Sequence, residues 1–165
     1  MEALKGIDIA VRAFEKLPDK KLYVAGNGPM MEEMQRYVRE HHMENVKFLG
    51  YLQKDEMSEK FYQAKAVIMT SQCYEAFAMT IAEAYSYGVP VIAGRVGNMD
   101  GMVQDGITGV KFTYNSAEDL ADKISAFDAM DLSVLKKNAR AFYAERLRPE
   151  DNYQKLIRIY EDISK

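Results

Sequence analysis

The chain has 165 residues, 48% of them hydrophobic and 28% charged, and carries a formal net charge of −3. That length supports one ordinary domain with a real core, and the mild acidity argues against a role that neutralises nucleic-acid phosphates. One cysteine, Cys73, excludes an intramolecular disulfide and a multi-cysteine metal site. The two histidines, His41 and His42, are too few for a conventional zinc cluster and read as solvated residues near a helix C-terminus. The opening MEALKGIDIA has neither the basic region nor the long apolar core of a secretory signal. No apolar run approaches the roughly 20 residues that a spanning helix needs. The expectation is a soluble cytoplasmic protein with no metal and no cofactor, and the scattered methionines read as core filler.

In chain order, IDIAVRAFEKL reads as an amphipathic helix ended by Pro18, and KKLYVAG as a strand that stops at Gly26. Pro29 suits the first turn of a helix over MMEEMQRYVREHH. NVKFLG is a strand and DEMSEKFYQA a helix. AVIMTS is a strand, FAMTIAEAYSYG a helix and GVPVIAG a strand. TGVKF is a last strand before helices over roughly Ala117–Phe127, Leu132–Glu145 and Glu150–Ile163. Strands separated by helices imply parallel pairing with right-handed crossovers, so the expected fold is α/β, a three-layer doubly wound parallel sheet. Such folds normally open on a strand, whereas this chain opens on a helix. The expectation is therefore a piece of a larger protein, with at least one strand upstream. Lys136, Lys137, Arg140, Arg146 and Arg148 lie among acids and read as a solvated face.

Between Lys65 and Arg95 only Glu75 and Glu83 are charged. So charge-poor a stretch is expected in the interior, where a lone carboxylate must be paired or hydrogen-bonded. No base lies within a helical turn of Glu83, which points to a donor from outside the local sequence, such as a hydroxyl-rich ligand. In open parallel sheets, ligands sit beyond the carboxyl ends of the strands. The amides near Ala78, Met79 and Thr80 would form a positive helix terminus able to hold phosphate. Glu75 stands before that terminus and Glu83 one to two turns inside it. This placement suits a central diphosphate with a sugar on each side. Taken singly, Glu75 also reads as a helix-dipole partner and Glu83 as a helix residue reaching solvent. Gly26-Asn27-Gly28-Pro29 is either an anion-binding turn or, more readily, an ordinary glycine turn. Gly50-Tyr51-Leu52 is a weak candidate for contact with a flat base. The glycine-rich run Val96–Gly101 and the turn Gln104-Asp105-Gly106 read as loops at the site mouth. Cys73 has no histidine near it in sequence and is rejected as a nucleophile.

KGID, AGNGPM, VKFLGYL, YEAFAMTIAEAYSYGVPVIA and VGNMDGMVQDGITGVKF occur in this order over most of the chain. Together they resemble the C-terminal, donor-binding domain of GT-B glycosyltransferases, specifically retaining family 4 (glycosyl transferases group 1). The E-x7-E element, Glu75 to Glu83, is the most diagnostic part of that likeness. The resemblance implies a Rossmann-like domain over residues 1–165 that binds a UDP- or GDP-sugar and works with an N-terminal acceptor domain not included in this sequence. It implies that Glu75 is catalytic, contacting the transferred sugar, and that Glu83 holds the ribose. Ala78, Met79 and Thr80 would bind the diphosphate, and Lys5 would neutralise it as it leaves. Gly26, Gly28 and Leu52 would complete the donor site, with Leu52 meeting the base. Members transfer a hexose with retention and generally need no divalent metal. The acceptor would be a carbohydrate or a lipid-linked acceptor, in polysaccharide biosynthesis. No spanning segment is expected, though peripheral membrane association is open to the full-length protein.

Three departures stand out. The family arginine five positions before Lys5 would fall before Met1. Ala76 and Ala78 stand where glycines are usual, and Gly101 where an acid is common. These departures feed a second reading, a non-catalytic nucleotide-binding or protein-interaction domain of the same fold. A dinucleotide-dependent oxidoreductase lacks its G-x-G-x-x-G signature.

Overall fold

The structure is a computed structural model that describes residues 5–74 and 76–163. Helix α1 (Ile7–Glu15) buries Ile7, Ala10, Val11 and Phe14 on its apolar stripe. It is followed by β1 (Leu22–Ala25), α2 (Met31–Glu40), β2 (Val46–Gly50), α3 (Lys54–Gln63) and β3 (Val67–Met69). Then come α4 (Met79–Ser86), β4 (Val91–Gly94), α5 (Gly97–Met102) and β5 (Gly109–Phe112). Three helices close the chain: α6 (Ala117–Asp128), α7 (Leu132–Arg146) and α8 (Pro149–Ile163). Ser116 caps α6 by accepting the Asp119 N–H, and Asp131 caps α7 through the N–H groups of Ser133 and Val134. Pro29 lies in the turn ahead of α2 rather than in its first turn. α8 buries none of its residues and leaves Tyr153, Leu156, Ile159 and Ile163 exposed.

All strand pairs are parallel, with helices on both faces, as expected of the α/β class. Among the described residues the sheet is nevertheless in two parts: β1 pairs with β2, and β3, β4 and β5 pair in that order. Alternation along β4 shows the three layers. Ile92 packs into one core with α1, α2 and α6, while Val91 and Ala93 join the other core with α3, α4 and α5. Helix α1 underlies both parts of the sheet on the first face. At the far end from the loops discussed below, Asp128 ties the two parts together. Its carboxylate pairs with Lys20, just ahead of β1, at 2.7 Å, and with Lys65, just ahead of β3, at 3.4 Å. The two parts thus begin at one edge and run in the same direction.

Two local expectations are corrected. The glycine-rich run read as a loop forms the short helix α5 (Gly97–Met102). The half-buried Lys111 ammonium holds it, donating to the Asp100 carbonyl at 2.6 Å and pairing with its carboxylate at 2.9 Å. His41 is not merely solvated: its ring stacks on Tyr37 with centroids 3.9 Å apart, and its Nδ1 lies 2.6 Å from Glu15. Among the described residues no helix is long and apolar enough to cross a membrane.

Candidate functional site

The carboxyl ends of β1 and β3 open on a cleft of about 500 Å³. Its body lies between the two strands, lined by Leu22 to Ala25 and by Ile68 and Met69, with Ile7 and Ala10 of α1 as its floor. Its mouth carries Lys5, Thr70 and Ser71 on one side and Phe77, Met79 and Thr80 on the other. The mouth is where polar groups and the start of α4 meet.

The start of helix α4 lies at the mouth, with no side-chain cap among the described residues and no acid in its first turn. The Met79 N–H turns back onto the Phe77 carbonyl at 3.1 Å, and the Ile81 N–H bonds to Ala78. Among the described residues the N–H groups of Ala78 and Thr80 have no main-chain acceptor. Met79 is therefore a weaker amide donor than the sequence suggested. The start of α4 carries the positive end of the helix dipole, which attracts negative charge.

The helix is two-faced. Ala78, Ile81, Ala82, Ala84 and Tyr85 are buried, whereas Met79, Thr80 and Glu83 are exposed along one side. Glu83 follows Met79 by four residues and Thr80 by three, so the three share a face. This corrects the expectation that Glu83 sits in the interior. Its carboxylate faces solvent, one turn beyond the residues that line the mouth, and no ion pair among the described residues includes it. The stretch is poor in charge without being wholly interior: Tyr74 and Phe77 are exposed as well.

Of the other expected residues, Lys5 is exposed and lines the mouth, and its carbonyl accepts the Thr70 hydroxyl at 2.9 Å. Gly26 takes a left-handed φ of 111° and donates to the Gly50 carbonyl at 2.6 Å, joining the loops that follow β1 and β2. Gly26, Gly28 and half-buried Leu52 belong to those neighbouring loops and do not line the cleft. Ala78 is fully buried, so its methyl does not intrude on the mouth. Glu75 lies outside the described residues.

The sequence placed the run Val96–Gly101 at the site mouth without showing that two of its residues brace Tyr74 and Ala76. The Asn98 side-chain amide donates to the Ala76 carbonyl. Gly97, at φ 51°, backs onto Tyr74: an added Cβ would lie 3.1 Å from its ring. Buried Ser71 and half-buried Cys73 contact each other at 3.1 Å between Oγ and Sγ, tightening the same loop. Only the glycine at 97 carried a signal in sequence.

A parallel α/β domain with helices on both faces and a cleft at the strand ends defines a class, the doubly wound folds. Within that class, residues 1–141 match the family described as glycosyl transferases group 1, and the chain belongs to it. It is 29% identical over 141 residues to a sulfoquinovosyl transferase of Arabidopsis thaliana, covering 82% of this chain and 27% of that protein. It is 28% identical over 164 residues to an N-acetyl-alpha-D-glucosaminyl L-malate synthase of Bacillus anthracis, covering 97% of this chain and 42% of that protein. The fold is similar to that of Anabaena HepE, whose crystal structure is in complex with UDP and glucose. The TM-score is 0.86 at 22% identity, covering 98% of this chain and 46% of that one. The chain thus spans less than half the length of these proteins.

Proposed function

We propose that this chain is the nucleotide-sugar-binding domain of a retaining hexosyltransferase, using a UDP- or GDP-sugar and working with an N-terminal acceptor domain. The observation that carries this reading is the start of α4, uncapped and acid-free, facing a cleft whose mouth also holds Lys5. A diphosphate placed there meets the Thr80 N–H and a lysine ammonium together, so charge developing on the departing nucleotide is stabilised by groups already in position. Glu83, exposed on the same helix face, is placed to accept from a ribose diol. Glu75 is assigned the hydroxyls of the transferred sugar. The UDP and glucose bound to HepE favour UDP as the nucleotide. The buried Ala78 methyl removes one objection to donor binding and so weighs against the non-catalytic alternative. We place the protein in the cytoplasm, making polysaccharide or lipid-linked sugars, with peripheral membrane contact through its acceptor domain.

Isothermal titration with UDP, GDP and UDP-glucose tests the reading. Saturable binding of at least one at or below millimolar concentration is expected, and no heat from any of the three refutes it.

A further inference from the structure

The loop that leaves β3 lines the mouth of the cleft with Ser71 at its start and Phe77 at its end, and Tyr74 stands between them. The Tyr74 side chain is 85% exposed, although the loop around it is fastened before and after. Ahead of it, the Gln72 amide donates to the Asn115 side-chain oxygen at 3.3 Å, and Ser71 meets Cys73. Beyond it, the Asn98 amide donates to the Ala76 carbonyl. Behind it lies Gly97, where an added Cβ would stand 3.1 Å from Cδ1, 3.3 Å from Cα and 3.6 Å from Cγ of Tyr74. Any side chain there would press on the tyrosine, and the φ of 51° at Gly97 suits the same residue type. The ring is thus backed along its inner edge by bare main chain and open to solvent over the rest. These fastenings fix the ring without burying it. A tyrosine held in this way offers a large amphipathic surface at little cost in entropy, since only two torsions move it.

We propose that Tyr74 is a stacking platform for a pyranose ring, an inference that deepens the nucleotide-sugar reading above and rests on it. A pyranose has two chemical characters: its ring carbons present a patch of C–H groups, and its rim carries hydroxyls. The face of a phenol is the negative part of its quadrupole and attracts polarised C–H groups, as it attracts the edge of another ring. Hydroxyls both donate and accept, and so do carboxamide side chains. Gln72, Asn98 and Asn115 supply three carboxamides along the fastenings of this loop. An aromatic surface with carboxamides about it matches the face and the rim of a sugar together. The core of a protein interface is built differently, on a contiguous apolar patch, whereas the groups that fasten Tyr74 are amides, a hydroxyl, a thiol and a glycine. The sugar has two possible sources, the unit being transferred and the unit that receives it. Both would pass the mouth in the reaction proposed above.

Titration calorimetry and NMR on the full chain test the platform and separate the two sources. For the transferred unit, the affinities of UDP-glucose, UDP-galactose and UDP-N-acetylglucosamine are each compared with that of UDP. For the receiving unit, the methyl pyranosides of the same three sugars are added at tens of millimolar to the UDP-saturated chain, and the Tyr74 ring signals are followed. Tyr74→Ala is expected to weaken at least one sugar about two- to tenfold, the worth of one aromatic contact. Tyr74→Phe, which keeps the ring, is expected to bind as the parent does. Neither variant should change the UDP affinity or the melting temperature, because the side chain is exposed. A change confined to the UDP-sugars assigns the platform to the transferred unit, and one confined to the methyl pyranosides assigns it to the receiving unit. The proposal is overturned if no sugar binds the parent, if Tyr74→Ala leaves every sugar as it was, or if Tyr74→Phe loses as much as Tyr74→Ala. Equal weakening of UDP itself by Tyr74→Ala also overturns it, by making the residue a brace of the loop. A parent that binds no UDP defeats the nucleotide-sugar reading alone, and the methyl pyranosides added without nucleotide then decide for or against the platform.

Discussion

Tyr85 anchors the buried side of α4, and removing its hydroxyl should loosen the helix that presents the site. The phenol is fully buried, lies 2.7 Å from the Thr108 hydroxyl and donates to the Met102 carbonyl at 3.3 Å. Thr108 in turn accepts the Gln104 N–H at 3.0 Å. One arrangement satisfies every group: Tyr85 donates to Met102, and Thr108 donates to Tyr85 while accepting from Gln104. Tyr85→Phe keeps the ring packed and leaves the Thr108 proton and the Met102 carbonyl without partners in a dry site. A loss of about 1.5–3 kcal/mol is expected from buried groups left unsatisfied. The same residue gives an alkaline signature. Burial pushes its hydroxyl up from the ordinary 10 to about 12, the Thr108 hydrogen bond pulling the other way. Folding thus favours the neutral phenol, and this contribution is complete below pH 10 and lost as pH rises towards 12. At about 1.4 kcal/mol per pH unit the loss totals roughly 2–3 kcal/mol. Urea unfolding of both proteins from pH 7 to 11.5 should show a gap at neutral pH that narrows above pH 10. A gap constant across that range, or no gap at pH 7, would refute the account.

Glu83→Ala should leave stability within about 0.5 kcal/mol, because the side chain is exposed. It should weaken UDP binding about tenfold, roughly 1.4 kcal/mol by titration calorimetry; an unchanged affinity would remove Glu83 from the site. Gly109→Ala should cost at least about 3 kcal/mol or prevent folding, read from thermal melts, since overpacking against main chain cannot relax. Its Cβ would lie 1.8 Å from the Val91 carbonyl oxygen. The Glu15 carboxyl is held below the usual range first by the Tyr37 hydroxyl and then by His41. Its contribution is present above the unfolded value of 4.5 and is lost as pH falls through the depressed folded value. Tyr37→Phe should bring that midpoint back up in a carbon-detected NMR titration of Glu15.

Much of the fold was legible because the apolar period switches cleanly between two and 3.6 along the chain. β4 and β5 fall where GVPVIAG and TGVKF placed them, and the last three helices keep their bounds within a few residues. The split of the sheet was not legible, since pairing order is decided by contacts far apart in sequence. α5 was missed because Gly97 and Gly101 lower local helix propensity, and tertiary contacts to Lys111 and Tyr74 override it. The burial of Glu83 was misjudged for a different reason. Absence of charge was equated with the interior, yet a short helix of small residues can be buried on one side and open on the other. Lys5 and Thr80 line one mouth, while Gly26, Gly28 and Leu52 fall on adjoining loops. For those three, order along the chain revealed neighbourhood but not contact.

The two-sidedness of α4 has an evolutionary consequence. Residues 81, 82, 84 and 85 are buried and answer to folding, while 79, 80 and 83 are exposed on the side that faces the mouth or lies one turn beyond it. Drift at the second set leaves the scaffold untouched, so a library randomised at those three positions should remain mostly folded while sampling new ligands.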